Sequence, residues 1–279
     1  MRDAIRALLW GIRSARLRRE SHLEVGMPVM SVDLARARLR GIYALVAGLL
    51  LLIGIPMLEG VMLAPLGYAS ASAAAIDHGD FGPLLLWVGQ NTSSYVLFHI
   101  VELAAFILLV PLPVGVRSVT CDTARLSARL WAWVGQAGFV LYALAILINL
   151  IGATQAGAQY LAATGTRARE EIVASYLNGF VLQNLLGAIL GGGLVAIWLL
   201  FLAARALRGA KILRWIALCG TVPALVLAAT TLQYMEAPAR IGSPLSPLAL
   251  PLLALWLMLC GAALARWAPR QSDTKVDAA

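Results

Sequence analysis

Six stretches of about 20 predominantly apolar residues run along the chain, near 41–63, 94–114, 130–152, 180–204, 212–233 and 246–265. Each is long enough to cross a bilayer as a helix. Between them fall Gly, Pro, Ser and charged residues, as connections require. The apolar runs are continuous and do not alternate, so they are unlike the ten-residue two-faced strands of an outer-membrane barrel. Lipid offers no hydrogen bonds, so each backbone N–H and C=O has to be paired within its own segment, which favours helices. The pattern predicts an all-α fold, a polytopic transmembrane helix bundle of six spans. The chain divides into a basic segment 1–40, a six-helix domain 41–266 and a tail 267–279.

Two connections are long. Residues 64–93 are rich in Ala, Ser and Gly and carry Asp77, His78 and Asp80. Within them Phe81–Val88 is too short to span and is expected in the interface, with Trp87 as an anchor. Residues 153–179 read as a second connection with a short helical patch at Arg167–Tyr176. Spans 3 and 5 open on related heptapeptides, Arg129–Gly135 and Arg214–Gly220, composed of residues common in membrane helices. Near the N-terminus, residues 2–19 form an Arg-bearing amphipathic pattern suited to an anionic leaflet. Their apolar run is interrupted by Arg13, Arg16, Arg18 and Arg19, which does not fit a signal peptide. Translation from Met1, Met27 or Met30 is compatible with the sequence, and the last two would remove that pattern.

Composition agrees with a lipid-clad chain: 61% of the 279 residues are hydrophobic, mean hydropathy is +0.82, and 13% are charged. About a quarter would be charged in a soluble domain. The net charge of +8 does not call for nucleic acid, because the basic residues gather at span ends. Nineteen of the 22 lie in residues 1–40, 115–129 and 205–214 or from Arg266 onward, and only Arg167, Arg169 and Arg240 lie in the alternate connections. By the positive-inside rule both termini are expected in the cytoplasm. Twenty of the 22 are Arg and the chain is rich in Ala, Leu and Gly, a coding bias that suggests a GC-rich bacterial genome, and the expected location is the bacterial inner membrane.

Candidate chemistry is sparse. Ionisable groups within spans cost about 2.5–3.5 kcal/mol at a helix centre, so each asks for a role. His99 and Glu102 share a helical face at i, i+3, with Glu102 about 22 Å from Arg117 along a helix. Glu59, Asn149, Gln183, Asn184 and Gln233 fall at a similar depth, toward the outer face. These residues are the candidate binding positions, and they predict a polar vestibule opening away from the cytoplasm. Glu59, Asn149 and Gln233 also suit interface or capping roles, and the His99–Glu102 pair also suits glue between helices. No catalytic set, metal site or cofactor is indicated: H-E-x-x-H, G-x-S-x-G, Walker A and G-x-G-x-x-G motifs are missing, and His99 is the sole histidine in a span. Gly191–Gly193 lie inside span 4, where small residues permit close packing or a kink. Cys121, Cys219 and Cys260 form no C-x-x-C pair and read as packing residues. Of the prolines, Pro223 and Pro251 lie deep enough in spans to invite a broken-helix site.

Three passages carry a resemblance. Arg36-Ala-Arg-Leu-Arg40-Gly-Ile-Tyr43 runs into span 1; Glu102 stands early in span 2 ahead of Arg125-Leu-Ser-Ala-Arg129; and Leu207-Arg208-Gly-Ala-Lys-Ile-Leu-Arg214 joins spans 4 and 5. Over about 31–266 the chain resembles a family of small six-helix bacterial membrane proteins known only as a domain of unknown function. The resemblance implies architecture and no activity. The expected function is a non-enzymatic transport-like, ligand-binding or regulatory bundle whose partners are the bilayer and a small ligand or another membrane protein. The alternative is an integral-membrane enzyme acting on a lipid or other apolar substrate, with His99 and Glu102 as acid–base groups.

Overall fold

The computed structural model describes residues 29–120, 126–207, 214–232 and 239–276. The amphipathic segment 2–19, His22, Met27, Cys121 and Gln233 lie outside the described residues. Eight helices and no strand occur among the described residues. Helix α1 covers 29–66, α2 Tyr68–His78, α3 Gly82–Gln90, α4 92–120, α5 Leu126–Ala162, α6 166–207, α7 214–232 and α8 Ala239–Val276. Six of them contain segments long and apolar enough to span a membrane: Ala35–Leu66, Thr92–Ser118, Leu126–Ala162, Thr166–Leu207, Arg214–Thr231 and Leu245–Arg266. Exposed Ile53, Met57, Ile100, Ile107, Val140 and Leu259 stud the outside of these segments. In water such a coat would be a liability, whereas lipid accepts it. The six apolar helices fit a membrane protein.

The first and last helices make the most extensive contact in the molecule. The contact depends on small residues. A Cβ placed on Gly261 would stand 2.5 Å from the Gly41 carbonyl oxygen and 2.7 Å from the Leu45 nitrogen. Small residues let helix backbones approach where lipid provides no hydrophobic drive. Gly138 and Gly191 do the same between α5 and α6. The related heptapeptides of α5 and α7 also share a structural task. Gly135 seats the Trp198 ring and Gly220 seats Trp256, and the two indoles meet edge to face at 5.8 Å in the main core. Helix α7 is interrupted at Gly220, just ahead of Pro223, while Pro251 leaves α8 unbroken.

The long connections are not loops. Residues 68–90 form two short helices, and α5 and α6 run on past their expected span ends to Ala162 and from Thr166. At 37 residues α5 is about 55 Å long, against roughly 30 Å of hydrocarbon. Helix α5 therefore overruns the apolar layer, and the end that carries the α5–α6 turn, α2 and α3 is termed the hairpin end. Ala-rich sequence serves helices as readily as loops, and the breaks fall at Gly67, Gly79 and Gly165, all with positive φ. Trp87 is not an interface anchor. It is 6% exposed, and its indole N–H donates to the Leu66 carbonyl at 2.7 Å, satisfying the open end of α1. Gly89 and Gly157 hold α3 against α5 backbone to backbone.

Candidate functional site

Helix α4 presents Tyr95, His99 and Glu102 at successive turns of one face, all at the hairpin end. His99 Nδ1 lies 2.8 Å from Glu102 Oε2, with side chains 8% and 20% exposed. Tyr95 and Phe98 meet the imidazole edge to face, at 4.3 and 5.1 Å between ring centres. Against an ionised Glu102, Nδ1 must donate, and in the neutral ring Nε2 is then an acceptor. That Nε2 is buried and has no hydrogen-bond partner.

Tyr95 links the pair to two more helices. Its hydroxyl accepts a hydrogen bond from Asn149 Nδ2 at 3.0 Å, and the Tyr176 hydroxyl donates to Asn149 Oδ1 at 3.2 Å. One carboxamide on α5 thus ties α4 to α6. Asn149 uses both its acceptor and its donor side, which fixes its orientation.

Behind this array a cavity of about 210 Å³ opens between α5 and α6. Asn149, Gln155 and Gln159 line one wall; Ser175, Tyr176 and Gln183 line the other. Gly152 and Gly179 face it, and a Cβ on either would meet nothing within 4 Å. Gln183 Oε1 is buried and unpartnered. Buried polar atoms are almost always paired, so the orphans at His99 and Gln183 ask for an explanation. Immediately after Gln183 and Asn184 the backbone of α6 widens into a π-helical segment, Leu185–Gly191, and Glu59 opens another in α1. Such segments are frequent at functional sites.

An aromatic collar from α2 and α3 closes the hairpin end. Tyr68 packs on Trp87 and Phe98, and Phe81 on Tyr176 and Phe180. Burial pushes the Tyr68 phenol up to about 12, and the carboxylates of Glu59 and Glu102 push in the same direction. The phenol therefore remains neutral.

The expected positions separate into three groups. His99 and Glu102 bond directly, and Asn149 and Gln183 share the cavity. Glu59 is exposed and reaches the array only through its field on Tyr68. Asn184 is half-buried and outside the cavity lining, and Gln233 lies outside the described residues. Sequence reasoning missed Tyr95, whose hydroxyl falls inside an apolar run, and Gln155, Gln159, Ser175 and Tyr176, which fell in the connection 153–179. The i, i+4 spacing of the two glutamines was the available signal. Among the described residues no three His, Cys, Asp or Glu side chains gather as a metal site. Compared with known proteins, the chain matches no family model, no curated protein and no solved structure.

Proposed function

We propose that this is a non-enzymatic bacterial inner-membrane protein, with both termini cytoplasmic, that binds a small ligand from the outer face for transport or regulation. The bilayer is its standing partner, and the resemblance to the six-helix family of unknown function belongs to the same reading. The observation that carries the reading is the polar cavity between α5 and α6, whose wall includes Gln183 with a buried, unpartnered Oε1, and which Asn149 and Tyr95 join to His99, whose Nε2 is also buried and unpartnered. Burying such groups unpaired costs about 1–3 kcal/mol each, a cost that an incoming ligand or water relieves. The arginine distribution supports an outward hairpin end, since 19 of 22 basic residues gather at the opposite ends of the spans. Among the spans the other carboxylate at a depth similar to the pair is Glu59, and it is exposed. That supports binding over acid–base catalysis.

Cysteine accessibility tests it. In a chain with Cys121, Cys219 and Cys260 replaced by Ala, Gly152→Cys and Gly179→Cys are expected to react with a charged, membrane-impermeant maleimide added to intact spheroplasts. Leu199→Cys, in the core, is expected to stay unlabelled. Labelling of the two glycine variants only after lysis overturns the outward vestibule.

A further inference from the structure

The walls of the α5–α6 cavity carry a chemistry narrower than a general polar site. Carboxamides and hydroxyls line it, and no Asp, Glu, Lys, Arg or His is among the lining residues. A phosphate or carboxylate would find no cation there, and an ammonium would find no anion. Desolvating a charge against walls that carry no counter-charge is expensive. Neutral ligands remain.

Among neutral ligands the walls favour one that donates and accepts at the same atoms. Each glutamine offers both an acceptor oxygen and donor hydrogens, and Ser175 offers both at one atom. Asn149 is already engaged on both sides, so it forms a fixed corner. Gln183, on the α6 wall, has a buried Oε1 without a donor. A hydroxyl meets these demands in any orientation, and a run of hydroxyls meets them along the whole wall. Tyr176 and Phe180 add aromatic surface against which the C–H face of a sugar ring can lie. The volume, about 210 Å³, falls below the roughly 300–1,000 Å³ of drug-sized sites. It suits a short polyol or a single small ring. Gly152 and Gly179 keep the space clear from opposite walls, where any side chain would fill it.

We infer that the cavity between α5 and α6 binds a neutral polyhydroxyl group, as a free polyol or monosaccharide or as the uncharged sugar headgroup of a lipid. The inference rests on the outward vestibule proposed above and names its ligand class. Asn149 stands about 30 Å along the helix from Arg129, at the hydrocarbon boundary, where either source can reach the cavity.

The full chain is reconstituted in phosphatidylcholine nanodiscs, with and without monoglucosyl diacylglycerol. Free glucose and glycerol are titrated by calorimetry, and retained lipid is read by native mass spectrometry. Saturable binding of a free polyol that falls at least tenfold in Gly152→Leu assigns a soluble ligand. Retention of the glucosyl lipid over phosphatidylcholine, lost in Gly152→Leu, assigns a lipid. Gly179→Leu fills the cavity from the other wall and serves if the first variant fails to fold. No saturable binding from either source overturns the inference, as does binding that survives both cavity-filling variants. Glucose 6-phosphate bound as tightly as glucose also overturns it, because neutral walls must discriminate against the charge. If Gly152→Cys is labelled from outside while no polyol binds, the ligand class fails and the vestibule stands. If it is not labelled, the vestibule itself fails.

Discussion

His99, Glu102 and Tyr68 show how three residues in one environment come to differ in what they offer. His99 and Glu102 satisfy each other through one atom each, leaving the imidazole Nε2 buried without a partner. Tyr68 sits just past the first span, and its buried phenol is pressed toward neutrality by two carboxylates. Its pKa rises from 10.0 to about 12 in the folded protein. The folded state binds that proton more tightly, so the stabilisation is complete below pH 10 and is lost as pH climbs through about 12. Thermal unfolding of detergent-solubilised protein should show a midpoint that falls across this window. Tyr68→Phe should flatten that part of the profile; an identical profile in the variant would show that Tyr68 contributes nothing there.

At the scale of elements, the six apolar spans and the His99–Glu102 contact were legible because both follow from helical spacing alone. What surrounds the pair was not. Residues 64–93 and 153–179 read as connections because Ala, Ser, Gly and charge break the apolar run, yet outside the bilayer a helix needs no apolar run. Their placement is decided by tertiary contact: Gly89 against Gly157, Trp87 under Leu66, Phe81 against Tyr176. None of these has a periodic signature. A Cβ on Gly89 would lie 2.5 Å from the Gly157 carbonyl oxygen, so Gly89→Val should force α3 away from α5. Hydrogen exchange followed by mass spectrometry is expected to show faster exchange across 68–90, with the remaining spans unchanged. Unaltered protection of α2 and α3 would mean that this contact does not hold the collar.

Across the whole molecule, the bundle is closed by α1 and α8, and the two ends of the spans differ. One end gathers arginines, and the other gathers the hydroxyls, carboxamides and aromatic rings of the site. Sequence exposes that asymmetry as charge but not which helices are neighbours, since every span has similar apolar composition. Neighbours are chosen by where glycines allow contact. Gly261→Val would drive its side chain into the α1 backbone and should cost about 1–3 kcal/mol, in the range of overpacked cores. Gly60→Val, which meets open space, should cost little by comparison. Thermal midpoints of the two variants in detergent provide the check, and equal losses would remove the α1–α8 seam as a determinant of stability.

That seam also sets an order of events in biosynthesis. The helix that α1 packs against most extensively is made after the other seven described helices, and α8 begins only at Ala239. At about 5–20 residues per second the ribosome takes roughly 10–35 s to pass from the end of α1 to the start of α8. For that interval the first span waits in the bilayer with its glycine-bearing face turned to lipid or to the insertion machinery. A nascent chain halted before α8 would leave that face open.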